Sequence, residues 1–169
     1  MNREQDLSKY QENYRLLSDV INISLQEVLS GYVGKELSTE YKKHFPSDTE
    51  QDGWWRWGVL DVLYDDKKRN LPMGGTYDDL MDVLDTQICL ILLDLHWRDI
   101  FSKKLPRSFY NWIKETNSIR NDCAHLSDIK LFDDNYTLRA LDTMAQICDK
   151  IDPESVGPIR AQIRKLRYG

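Results

Sequence analysis

The stretch PRSFYNWIKETNSIRNDCAH, residues 106–125, decides how this chain folds. Pro106 suits a first helical turn, where its missing N–H leaves no donor unpaired and its fixed φ already matches the helix. From there Phe109, Trp112, Ile113, Thr116 and Ile119 recur at intervals of mostly three or four towards Cys123, the spacing of an amphipathic helix. Leu126-Ser127-Asp128 breaks the pattern. The stretch therefore reads as a helix that carries a polar segment, Arg120 to His125, at its C-terminal end.

Downstream, a second helix starts near Asp133-Asp134 with a stripe of Thr137, Leu141, Met144, Cys148 and Ile151. Asp152-Pro153-Glu154 ends it and opens a last helix faced by Ile159, Ile163 and Leu166. Upstream, residues 78–101 read as one long helix, with Thr76 or Asp78 as N-cap and Leu80, Leu84, Ile88, Ile91, Leu95 and Trp97 on its buried side. Its middle, residues 88–93, is apolar all round, as in a helix enclosed by the core or, second, by a partner subunit. Residues 65–75, with Pro72 and Gly74-Gly75, read as a surface loop. Trp54, Trp55 and Trp57 precede Val59, Leu60, Val62 and Leu63 in what reads as a short helix with an aromatic face.

At the start of the chain Tyr10, Tyr14, Leu17, Ile21, Leu25 and Val28 share one helical face. Gly31 and Gly34 weaken the helix before Val33, Leu37 and Tyr41 resume it and Pro46 stops it, which predicts a bent helix or two short ones. No segment alternates as a strand does, and there is neither a repeat nor a low-complexity tract. The expected architecture is an all-α helical bundle in one domain, residues 1–169: N-terminal helices over 1–65, a core over 77–151, and a basic C-terminal helix over 152–169.

With 41% hydrophobic residues among 169, the chain has enough apolar surface for one substantial core. No apolar run approaches the length of a membrane span and no secretion signal opens the chain, so the expected location is the cytoplasm. Cys89, Cys123 and Cys148 read as small core residues, and with His44, His96 and His125 they form no zinc spacing, so neither metal nor cofactor is expected. The net charge of −5 argues against a general nucleic-acid coater, whose affinity comes from neutralising phosphates, but leaves room for a local cationic site.

The polar segment is that site. From Trp112 through Arg120-Asn121-Asp122-Cys123-Ala124-His125 to the run beginning at Arg139, the chain resembles the HEPN superfamily, whose signature is an Arg and a His separated by four to six residues, with a polar residue after the Arg. The likeness is closest to the subtype found in a eukaryotic nuclear mRNA quality-control endoribonuclease and in bacterial conflict-system proteins. It holds from about Tyr77 to Ile151, including Trp97 and Phe101, and departs at Cys123, where the subtype often has an aromatic residue. It implies an all-α fold, a homodimer whose two motifs face one cleft, and metal-independent cleavage of RNA. A larger parent or partner protein is also implied, because relatives are often fused to ATPase or restriction-like regions.

Each residue suits that chemistry. Cleavage of RNA without a metal needs a base for the ribose 2′-OH, an acid for the departing 5′ oxygen and a cation for the phosphorane. Imidazole titrates near neutral pH, so His125 can serve as base or acid. Arg120 supplies a permanent charge and a planar fork for two phosphate oxygens, and Asn121 can bond a phosphate or hold the His125 loop. Five residues apart on an unbroken helix, two side chains diverge by about 140°. A shared phosphate thus requires the helix to end between them.

Weaker candidates surround this set. Glu115 and Asn117 lie on the same helix, and Asn117 is in register to join an RNA-binding cleft, although exposed helix positions are usually just solvated. Asp94, set in an apolar run, calls for a salt bridge to a residue such as Arg98 or Arg120. Arg160, Arg164, Lys165 and Arg167 can form a phosphate-binding patch, although a solvated basic face accounts for them more simply. The tryptophans can stack on bases, but three beside Val59 and Leu60 more often close a core. The leading expectation is an endoribonuclease acting as a toxin, antiviral effector or RNA-surveillance enzyme; the alternative is a catalytically silent module that binds RNA or protein.

Overall fold

Stripes of apolar residues at helical spacing become helices throughout the computed structural model, which describes residues 3–169. The chain divides into two units, one comprising the N-terminal stretch through Val28 with Ser108–Gly169, the other Leu29–Arg107.

The first unit opens with α1 (Arg3–Asp19), which runs into a π-helical segment, Val20–Leu25. Leu17, Ile21 and Leu25 are buried, as their common stripe predicts, and Val20 is buried beside them. α7 (Arg107–Ala124) begins directly after Pro106 and buries Phe109, Ile113, Thr116, Ile119 and Cys123. A short 3-10 turn, Ile129–Leu131, leads to α8 (Asp134–Ile151), N-capped by Asp133 through Tyr136 N–H at 2.8 Å. A further 3-10 turn, Pro153–Ser155, precedes α9 (Gly157–Tyr168), which lays Ile159 and Ile163 against α8. α1 also packs on α8. There the buried amide of Asn13 donates to Phe132 O and to Asp134 Oδ1, both at 3.0 Å.

The second unit contains most of α2 (Gln26–His44), the short α3 (Gly53–Trp55) continuing into a π-helical segment, Arg56–Leu60, then α4 (Asp65–Lys68), α5 (Tyr77–Val83) and α6 (Thr86–Leu95). Leu29, Val33, Leu37, Trp55, Val59, Leu80, Leu84, Leu92 and Phe101 are buried here. His96, itself buried, bonds Gly58 O through Nε2 at 2.7 Å.

Three expectations need correction. The helix predicted over 78–101 is broken. Thr76 caps α5 by accepting from Asp79 N–H, Leu84 turns extended (φ −82°, ψ 91°), and Asp85 starts α6 by accepting from Ile88 N–H at 2.8 Å. α6 then ends at Leu95, ahead of a 3-10 turn at Phe101–Lys103. An Asp that can cap a new helix competes with continuing the old one.

The irregularity in the N-terminal helix lies at Val20–Leu25, not at Gly31 and Gly34, both of which sit inside α2. Gly34 is needed for closeness, since a Cβ there would meet the thioether of Met81. Finally, residues 65–75 are not loop throughout, because Asp65–Lys68 forms one helical turn. α6 is mostly core in its own right, with six of its ten residues buried. No described helix is long and apolar enough to cross a membrane.

Candidate active site

Helical spacing alone sorts the last turns of α7. Thr116, Ile119 and Cys123 occupy the buried face, Arg120 and Asp122 the half-buried edges, and Asn121, Ala124 and His125 face solvent. The helix does end between Arg120 and His125, as a shared phosphate requires, but only after Ala124. His125 is still suspended from it, its N–H donating to Asn121 O at 2.9 Å.

The Arg120 side chain makes up part of the angular divergence from His125. The Arg120 guanidinium turns towards its neighbour, with Nη1 donating to Asn121 Oδ1 at 3.4 Å, a long and weak bond. Asn121 and His125, four residues apart, lie one above the other on the same face. The cation is thus drawn around the helix towards the face that carries the imidazole. No side-chain hydrogen bond or ion pair engages His125 among the described residues.

Other helices of the unit fix this helix end. The final carbonyls of a helix have no partner within it; that of Cys123 accepts the Tyr14 hydroxyl of α1 at 3.0 Å. Asp122, inside the motif, accepts the Tyr136 hydroxyl of α8 on Oδ2 at 2.7 Å. Burial, and then the bond to Asp122, raise the Tyr136 phenol far above its ordinary range, so it remains a donor at any ordinary pH. Phe132, fully buried, stands between these tyrosines and makes edge contacts with Tyr14 at 5.2 Å and Tyr136 at 5.5 Å. Aromatic packing at this helix end thus comes from Tyr14, Phe132 and Tyr136, while Cys123 contributes a small thiol that burial pushes up to about 11.

Beneath the site two polar atoms are buried without a partner among the described residues: Thr116 Oγ1 and Asn117 Oδ1. Asn117 itself is half-buried on the turn before Asn121. Glu115 is not simply solvated, since its carboxylate accepts from Arg139 Nε at 2.7 Å.

The basic residues of α9 stand apart from this set. Arg160 is exposed and pairs loosely with Asp149 at 3.6 Å. Arg164, Lys165 and Arg167 are exposed, and Lys165 lines a groove of about 340 Å³ with Gln162 and the α1 residues Lys9, Glu12, Asn13 and Leu16. No hydrogen bond or ion pair joins these four cations to residues 120–125 among the described residues. Trp54 and Trp55 are buried, which removes them as stacking platforms, and Trp57 is half-buried with its ring stacked on His96 at 6.1 Å. Asp94 is half-buried. No group of three or more His, Cys, Asp or Glu residues is placed to hold a metal ion among the described residues.

Sequence reasoning singled out Arg120, Asn121 and His125 as candidates, did not connect Tyr136 with Asp122, and treated Tyr14 only as part of an apolar stripe. The signal for Tyr14 was its hydroxyl, which a buried helical face must satisfy. Nothing in the spacing of Asp122 and Tyr136 announces their bond.

A family model described as Swt1-like HEPN matches residues 23–152, which contain the whole of α7 and α8 and reach well upstream of Tyr77. Comparison with curated proteins and with solved structures returns no match.

Proposed function

Because this chain belongs to the Swt1-like HEPN family, a family of ribonucleases, we propose that it is an endoribonuclease that cleaves RNA without a metal. The ribose 2′ oxygen attacks the adjacent phosphorus, the P–O5′ bond breaks, and the products are a 2′,3′-cyclic phosphate and a free 5′-OH. The 2′ proton passes to a base and the leaving oxygen takes a proton from an acid. His125 fills one of these roles, Arg120 stabilises the phosphorane charge, and Asn121 holds the guanidinium or a phosphate oxygen. Two chains pairing with their motifs across one cleft supply the second histidine. Asn117 and the α9 cations Arg160, Arg164, Lys165 and Arg167 contribute at most to binding the rest of the strand. The setting that fits is a cytoplasmic toxin, antiviral or RNA-surveillance system, alone or within a larger assembly.

The observation that carries this reading is the exposure of an unengaged His125 on the face towards which Arg120 is drawn. A histidine sunk in the core would have excluded it. The test is incubation of mixed RNA with the purified protein in excess chelator, beside His125→Ala and Arg120→Ala. Chelator-resistant cleavage with cyclic phosphate ends, lost in both variants, is the expected result. Equal activity in all three overturns it, and no activity in any of them leaves a silent module that binds RNA or protein.

A further inference from the structure

The motif contains its own anion. Asp122 lies between Arg120 and His125, two residues from one and three from the other, and on a helix a carboxylate three residues from a histidine is within pairing distance. Unrestrained, it could lie against the His125 imidazole, although it faces away from Arg120, since residues two apart on a helix share no face. The structure gives it another partner: its Oδ2 accepts the Tyr136 hydroxyl at 2.7 Å.

We propose that Tyr136 is a positioning residue that holds Asp122 against α8 and so keeps the motif's carboxylate away from His125, leaving the imidazole open to RNA phosphate. This rests on the nuclease reading for its ligand, but its mechanism is electrostatic and concerns binding before any bond is broken. Three observations support it. Asp122 is half-buried at the α8 edge of α7, and the bond to Tyr136 engages its carboxylate there rather than beside the exposed His125. Tyr136 is fixed by its edge contact with the fully buried Phe132 and by its own N–H, which caps α8 on Asp133 at 2.8 Å. The other charged groups near this phenol, Glu115 and Asp122 itself, are both acidic, and Glu115 is occupied by Arg139.

The test separates a charge effect from a packing effect. Binding of a 2′-O-methyl RNA oligonucleotide, which offers phosphates but no attacking hydroxyl, is measured for the wild-type chain, Tyr136→Phe, and Tyr136→Phe combined with Asp122→Asn. Tyr136→Phe frees the carboxylate and is expected to weaken binding about two- to five-fold at low salt, the range of an exposed charge pair. Removing the charge in the double variant is expected to restore wild-type affinity although its thermal stability stays lowered, a rescue that a merely structural tyrosine would not permit. Unchanged binding by Tyr136→Phe, or a double variant as weak as the single one, overturns the proposal. A wild-type chain that binds the oligonucleotide but cleaves no RNA overturns the nuclease reading and leaves this one standing. A wild-type chain that does not bind overturns both.

Discussion

The backbone N–H of His125 donates to the carbonyl of Asn121 across 2.9 Å, so the last residue of the motif hangs from the same helix that carries the first. Arg120 must therefore reach the imidazole face along its own length. A lysine at that position keeps the charge but loses the planar fork and the bond to Asn121. Hydrogen bonds to charged groups are worth roughly 1.5–3 kcal/mol, so Arg120→Lys is expected to lower kcat/KM for RNA cleavage about ten- to a hundredfold. His125→Ala should cost about 10²- to 10⁴-fold, mainly in kcat. Steady-state cleavage of a short fluorescent RNA measures both, and a fully active Arg120→Lys variant would show that the fork is not used.

Tyr14→Phe removes the one hydroxyl that serves the Cys123 carbonyl while preserving the ring contact with Phe132. The expected loss is about 0.5–1.5 kcal/mol of unfolding free energy, the net worth of an ordinary hydrogen bond. Urea denaturation followed by far-ultraviolet circular dichroism measures it, and an unaltered midpoint would mean that water replaces the phenol at no cost.

Gly31 lies within α2, and a Cβ added there meets nothing within 4 Å. Gly31→Ala should thus raise stability by about 0.5–1 kcal/mol through the lower helix propensity of glycine. A rise in the thermal midpoint is the readout; a fall would reveal a neighbour that the fold keeps close to this position.

Burial pushes the Cys123 and Cys148 thiols up to about 11 and the Cys89 thiol higher still. The reactive thiolate is then a minute fraction at neutral pH. Iodoacetamide at pH 7.5 is expected to leave the native protein unmodified over minutes and to alkylate all three cysteines once it is unfolded, as mass spectrometry would detect. Rapid labelling of the native chain would contradict this.

Much of the architecture was legible because it follows from local chemistry. Pro106 announced α7, Asp133 announced α8, and Thr76 was rightly among the caps foreseen for α5. The break at Leu84-Asp85 was hidden because Leu80, Leu84 and Ile88 maintain a four-residue interval straight across it, and Asp85 resembles any other solvent-facing acid until its backbone departs from the helix. The π segment at Val20–Leu25 was concealed in the same way by an uninterrupted stripe. At the site, Arg120, Asn121 and His125 were legible because they are neighbours in the chain. Tyr136 was not, because its bond to Asp122 spans 14 residues and depends on two helices packing side by side.

Thr116 and Asn117 place a cost in stability beside this candidate site. Polar atoms buried without partners lower the stability of the native state, and here they lie one turn or less before Arg120. Valine in place of the buried threonine has nearly the same shape and silences the unmet hydroxyl. A laboratory search for sturdier versions of this chain should recover Thr116→Val early. If the proposed nuclease reading holds, assaying those variants on RNA would show whether the hydroxyl serves the reaction or only the fold.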